Sequence, residues 1–281
     1  MYSDSTRISL SPEEIRAFII QRLKAALPGL PLETRRGEPY RLTLVHPEAG
    51  EMVFNLGNLV HEVRGATPHA AEQMVDTFVT LAQRAVSGPE IALDKVYPGL
   101  RHRTFMEEAG QSMNDPLVGD GPGDLVSVVL ADQGAGIAIL TENMVHGAGL
   151  ETEDVLLAAE KNLVDLLPQT FGDLSENGAV LSLSFKDNAW LGTSLMFVPT
   201  MISNAMEQMG WDKVLLAAPT RESVDIVDAA RRDAARMMER RMMECLSGPR
   251  TQSEVVFTYD RDSTQYRKSH RMVGPDLIGL N

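Results

Sequence analysis

Leu125-Val126-Ser127-Val128-Val129-Leu130-Ala131, then Asp132-Gln133-Gly134-Ala135-Gly136, then Ile137-Ala138-Ile139-Leu140: this stretch decides the fold. An apolar β-branched run, a glycine-bearing turn and a second apolar run make a hairpin. A helical pattern follows from Thr152 to Leu167, and Ala179-Val180-Leu181-Ser182-Leu183-Ser184-Phe185 closes the unit as a third strand. Residues 124–187 therefore read β-β-α-β.

Downstream the order returns. Lys213 to Ala218 is a strand, and Pro219-Thr220-Arg221-Glu222 turns the chain into Ser223-Val224-Asp225-Ile226-Val227. A helix is expected from about Asp228 to Leu246, with Ala230, Ala234, Met238, Met242 and Cys245 on one face. Glu254 to Tyr259 is a strand again. A helix over 190–209 joins the two units.

Upstream, Ser11-Pro12-Glu13-Glu14 carries a capping serine, a first-turn proline and a capping-box glutamate. Arg41–Val45 and Glu51–Leu56 flank a turn at 46–50. Thr67-Pro68 opens a helix that Ser87-Gly88-Pro89 stops near Val86. This is a third β-β-α. The expected class is α+β, with largely antiparallel sheets, packed helices and repeated β-β-α-β units.

The Gly-, Pro- and Asp-rich loop from Asn114 to Asp124 marks a boundary. Residues 1–113 form an N-terminal α-ββ-α subdomain, and 114–260 a core of two units joined by a helix. Residues 261–281 read as a flexible tail, because Arg261, Arg267, Lys268, His270 and Arg271 follow no period.

The 281 residues are 43% hydrophobic and 23% charged, with a formal net charge of −13. That balance argues against nucleic acid and anionic lipid, which select basic surfaces. It suits solubility or a basic partner. Cys245 is the single cysteine, which fits a reducing cytoplasm. The start, Met1 to Arg7, has no signal-peptide core, and no run reaches a membrane span.

Chemistry-bearing motifs are weak. Gly119-Asp120-Gly121-Pro122-Gly123-Asp124 precedes a strand, lacks lysine and carries two acids, so it is a loop rather than a phosphate cradle. The six histidines show no metal spacing, and no catalytic residue, metal or cofactor is expected. Arg101, His102 and Arg103 beside Phe105 form a local basic cluster. Asp187-Asn188 and Thr220-Arg221 each follow a strand end. If those ends converge, Glu142, Asp187, Asn188, Arg221 and Arg101 line a polar cleft, where arginine suits a carboxylate or phosphate.

A second surface is expected from methionine, of which there are 15. Met238 and Met242 lie on one amphipathic helix, and the tail ends on Leu277, Ile278 and Leu280. These residues are read as an interaction surface for a homodimer or a protein partner.

Several landmarks follow one another along the chain: Phe54-Asn55-Leu56-Gly57-Asn58-Leu59, Val96-Tyr97-Pro98-Gly99-Leu100-Arg101, Pro116-Leu117-Val118-Gly119-Asp120, Ile139-Leu140-Thr141-Glu142, Asp187-Asn188 with Ser194-Leu195, and Ala218-Pro219-Thr220-Arg221. In them the chain resembles the bacterial domain-of-unknown-function family 1444, the YtpQ-like proteins. The landmarks span roughly residues 40–260. Gly121-Pro122-Gly123 and the last twenty or so residues depart from the pattern. The resemblance implies no activity and carries over no catalytic residue.

Two functions follow as expectations. The first is a cytoplasmic protein acting by binding, as an adaptor, chaperone-like or regulatory protein. The second is an enzyme or sensor whose polar cleft takes a small anion or nucleotide.

Overall fold

The computed structural model describes residues 10–34, 40–46, 50–86, 91–108, 113–134, 136–175, 179–246 and 252–280. The expected tip of the first hairpin at 47–49, the Ser87-Gly88-Pro89 stop and the chain start lie outside them.

α1 (Pro12–Ala26) opens with the expected capping box. Ser11 Oγ accepts from Glu14 N, and Glu14 Oε2 accepts from Ser11 N. β1 (Leu32–Thr34), β2 (Arg41–His46) and β3 (Gly50–Asn55) make an antiparallel sheet. α2 (Gly57–Gly65) and α3 (Pro68–Val86) join α1 over it. Ile15, Ile19, Leu23, Leu42, Leu44, Val60 and Val75 form their core. Arg84 of α3 reaches the Gln133 carbonyl oxygen at 2.9 Å, tying this unit to the central hairpin.

β4 (Val96–His102) and α4 (Arg103–Glu108) follow. β5 (Val118–Asp120), β6 (Leu125–Asp132) and β7 (Ile137–Ile139) complete a second antiparallel sheet. β4 pairs with one edge of β6 along its whole length, and β5 and β7 share the other edge. α5 (Glu142–Gly147) and α6 (Thr152–Leu166) cover the outer face, where Val96, Val129 and Ala131 meet Val155 and Ala159.

β8 (Thr170–Leu174), β9 (Leu181–Phe185), α7 (Pro199–Met209), β10 (Lys213–Ala217), β11 (Val224–Asp228), α8 (Ala234–Leu246), β12 (Val255–Asp260), β13 (Tyr266–Val273) and β14 (Asp276–Gly279) build the third sheet. It is antiparallel, with strand order β14-β13-β12-β10-β11-β9-β8. One face carries Leu183, Phe185, Leu216, Ile226 and Phe257. It shares a core with Val126, Val128 and Leu130 of the second sheet. A 3-10 segment, Ala189–Phe197, and α7 contribute Leu191, Leu195 and Ile202 to that core. The opposite face carries Leu215, Ala217, Val227 and Val256 against Met238 and Met242 of α8.

The class is α+β, with antiparallel sheets and packed helices. Four details differ from the sequence reading. β9 does not close a unit with β6; it pairs with β8 and β11 in the large sheet. β4 lies before the expected boundary at 113/114, yet its ladder with β6 places it in the core. The joining helix is a 3-10 segment followed by α7, because Pro199 restricts the residue before it and suits a helix start. The region 261–281 holds β13 and β14 rather than an irregular tail. Tyr266 and Met272 supply the inward contacts, and Gly274, at φ +61°, opens the two-residue turn between Val273 and Asp276.

Candidate functional site

Among the described residues, the buried polar side chains are Thr43, Arg101, Ser184, Thr193, Ser194, Ser223, Asp225, Gln252 and Ser253. All but Thr43 gather at one end of the large sheet. There the N-terminal ends of β11 and β12 meet the C-terminal end of β10, with the end of β4 alongside. Buried polar groups are costly unless satisfied, so their concentration marks a place where something other than packing was selected.

The wiring explains how they are held. Gln252 bridges the two layers: its backbone N donates to the Pro219 carbonyl oxygen at 2.8 Å, and its side-chain amide donates to the Leu100 carbonyl oxygen. Ser194 Oγ donates to the Pro98 carbonyl oxygen at 2.7 Å. Thr193 N donates to the Arg221 carbonyl oxygen at 3.3 Å, and Ser184 Oγ to that of Glu222 at 2.6 Å. A Cβ at Gly192 would overlap the Glu222 carbonyl oxygen, so only glycine lets the 3-10 segment lie so close to the 219–222 turn.

Arg101 sits inside this frame. It faces Val126 across the ladder, on the side of β4 turned toward the large sheet. It is 7% exposed, and Nη1 donates to the Leu100 carbonyl oxygen at 2.7 Å. Among the described residues no carboxylate is placed against it. Burial, and then the neighbouring charge of Arg221, pull its guanidinium down to about 9. Arg221 lies in the 219–222 turn, which Gln252 ties to Leu100, so the two arginines named from the sequence fall in one neighbourhood.

The other expected cleft residues are placed apart or at the rim. Glu142 starts α5, where its backbone N donates to the Asp115 carboxylate at 3.0 Å. That is on the far edge of β6 from β4, and β7, which leads into α5, pairs with Leu130–Asp132, whereas Arg101 faces Val126. Asp187 and Asn188 follow β9 at the same end of the sheet as Arg221. Asp187 is exposed, and Asn188 precedes the 3-10 segment as its cap residue. The expected interaction residues divide likewise. Met238 and Met242 are fully buried under the large sheet, so they hold the fold and present no surface. Leu277 packs against that core, while Ile278 and Leu280 remain exposed.

Two further constellations flank the arginines. His102 Nδ1 accepts from Thr104 N, leaving the Nε2 proton toward Asp124 Oδ2 at 3.3 Å. Ser253 Oγ donates to Asp124 Oδ1 at 2.6 Å. The serine thus gives its proton to the carboxylate, an arrangement that clamps the layers and does not activate a nucleophile. On the other face, fully buried Asp225 accepts from Ser223 Oγ at 3.0 Å and from Arg241 Nε at 2.7 Å. Burial pushes the nearby Cys245 thiol up, away from the reactive thiolate.

Gln252, Ser194, Ser223 and Asp225 were not legible as site residues. Each is a common polar residue beside a strand or turn, and only the fold shows that it is buried. Among the described residues no group of three or more His, Cys, Asp or Glu side chains gathers as a metal centre. No helix of the described residues is long and apolar enough to cross a membrane.

The fold and the site define an α+β chain with a buried cationic centre between two antiparallel sheets. No family model, no curated protein and no solved structure matches the chain.

Proposed function

We propose that this chain is a ligand-binding protein whose site, at the end of the large sheet, takes a small anion or a nucleotide. One observation carries the reading: Arg101 is buried near Arg221, and among the described residues no carboxylate is placed against Arg101. A buried guanidinium costs several kcal/mol unless a counter-charge meets it, and a bound anion supplies one through charge-assisted hydrogen bonds. Native mass spectrometry of protein purified gently from its own host tests this. A stoichiometric increment in the wild type that Arg101→Met loses supports the reading; bare polypeptide mass in both overturns it.

A protein-binding role, with a homodimer as its simplest case, is favoured by a different observation. Leu157 and Val164 are each 59% exposed on one face of α6, and Phe171 is exposed on edge strand β8. Unpaired strand edges and exposed apolar side chains are common sites of association. Sedimentation at micromolar concentration tests it: a monomer unaffected by Val164→Glu removes this role. In either role the single cysteine suits a reducing, cytoplasmic setting.

A further inference from the structure

Resting on the protein-binding role above, we infer that the partner is a second copy of this chain, and that α6 of each copy seats on the β13–β14 face of the other.

One half of the contact is the outer stripe of α6. Glu153, Leu157, Glu160 and Val164 stand at i, i+4, i+7 and i+11, so acid and apolar side chains interleave along one line of the helix. All four are exposed, while the opposite side buries Val155, Ala159, Leu163 and Leu166. Among the described residues no cation is ion-paired to Glu153 or Glu160.

The other half is the outer part of the large sheet. The ladder register decides which side chains share a face there. Phe257, on the core face, pairs with Lys268. A bulge beside Val256 shifts the register, and Val255, also on the core face, pairs with Arg271. Arg271 pairs in turn with Ile278, and Val273 lies two residues on from it. Lys268, Arg271, Val273 and Ile278 therefore stand on the face that carries the shared core further along, but the cover ends before them and all four are exposed. Met272 and Leu277 take the other face, against the core beneath α8. Arg271 holds one surface contact, to Glu254 at 3.6 Å, with both side chains about half exposed.

Charge and layering join the halves. The chain is acidic, at −13, yet β13 and β14 carry Arg267, Lys268 and Arg271 against Asp276 alone. The helix α6 carries Glu153, Asp154, Glu160 and Asp165 against Lys161. Opposite potentials steer two surfaces together and fix their register. Within one chain they cannot meet. The helix lies on the outer side of the second sheet, whereas the basic face is on the side of the large sheet turned toward the second. Each molecule is thus a step, with α6 raised and β13–β14 as the lower ledge. A second copy turned over about a two-fold axis sets its own α6 on that ledge and receives the first α6 on its own. The two contacts are equivalent, as a two-fold interface requires. In each, apolar side chains meet apolar ones and carboxylates meet cations.

The test is sedimentation of the full chain at micromolar concentration, with thermal melts to confirm that each variant folds. The wild type should be a dimer that loosens as salt rises. Lys268→Glu with Arg271→Glu makes both surfaces acidic, and Glu153→Lys with Glu160→Lys makes the stripe basic like the ledge. Each double variant alone should dimerise at least about tenfold more weakly, because like charges then oppose each other. An equimolar mixture should recover the dimer, since opposite charges then meet at both contacts, and native mass spectrometry should show it as a heterodimer. Ile278→Glu should weaken the wild-type dimer as well, so the pairing is tested even if one double variant folds poorly. A dimer that Val164→Glu breaks but Lys268→Glu with Arg271→Glu and Ile278→Glu leave intact overturns the pairing and keeps the protein-binding role, as does a mixture that stays monomeric while both variants are folded. A different polypeptide bound to the host-purified protein, with no dimer, overturns the second copy and keeps the role. A monomer that no variant alters overturns both.

Discussion

Arg241 donates from Nε to Oδ2 of Asp225 at 2.7 Å, and that carboxylate is fully buried beneath α8. The contact fixes α8 across the N-terminal end of β11, on the face of the sheet opposite Arg101. Truncating Arg241 to alanine leaves Asp225 with the Ser223 hydroxyl alone. Breaking a buried pair from one side costs about 3–5 kcal/mol, and the one-third exposure of Arg241 lowers this to about 2. Chemical denaturation of Arg241→Ala should show that loss, and Asp225→Asn should lose less, because it removes the buried charge and leaves the cation on Arg241, which is one-third exposed to water.

Arg101 should behave in the opposite way. Its burial, with no carboxylate against it among the described residues, is a cost that the ligand-free protein bears. Arg101→Met keeps the volume and removes the charge, so the variant should melt at or above the wild-type temperature when ligand is absent. A fall of several degrees would mean that the guanidinium is satisfied by contacts within the fold.

The same group sets a pH dependence. The folded chain holds Arg101 at about 9, well below the ordinary value for the side chain. Between those values the unfolded chain binds more protons, so stability rises with pH. Below about 9 both states are protonated and the full penalty remains. The stability gap between Arg101→Met and wild type should therefore be constant below about pH 9 and narrow above it. Denaturation curves of the two proteins from pH 7 to 10 measure this, and the difference cancels the groups they share.

Gly192→Ala tests the close approach of the 3-10 segment to the 219–222 turn. Its Cβ would overlap the Glu222 carbonyl oxygen, and forced overpacking costs about 1–3 kcal/mol. The variant should lose that stability and also lose any anion effect, because Arg221 lies in the displaced turn. Retention of both would show that the turn yields without consequence.

Met238→Ala and Met242→Ala distinguish core from surface. Both side chains are fully buried against Leu215, Ala217 and Val256. Each truncation should cost about 2–5 kcal/mol, with no change in sedimentation at native conditions. Deleting residues 264–281 should be equally severe. It removes β13 and β14, strips Tyr266 from its 3.0 Å bond to the Met196 carbonyl oxygen and leaves β12 as an open edge.

Strands and helices with strong patterns were legible, and for stated reasons. Leu125–Ala131 is β-branched and bounded by turns, and Ser11 with Glu14 caps α1 in both sequence and structure. What failed was partnership. Nothing in Leu181–Phe185 says that its neighbours are β8 and β11 rather than β6, since any strand offers the same ladder groups. β13 was missed because its alternation of Tyr266, Lys268, His270 and Met272 buries few apolar side chains, and charges mask a half-exposed strand. At the site, Arg101 and Arg221 drew notice through their charge in an acidic chain. Gln252 did not, because its importance lies in two hydrogen bonds to residues far away in sequence.

The strand order has a consequence for how the protein is made. β10 lies between β11 and β12, and β12 carries β13 on its far side. A ribosome that has released the chain only as far as α8 leaves the β10 edge unpaired on a sheet still missing three of its seven strands. The large layer, and with it the seat of Arg221, closes only when the last segment emerges. Stalled or truncated nascent chains would present an open apolar edge, so synthesis must finish before this molecule is safe from its neighbours.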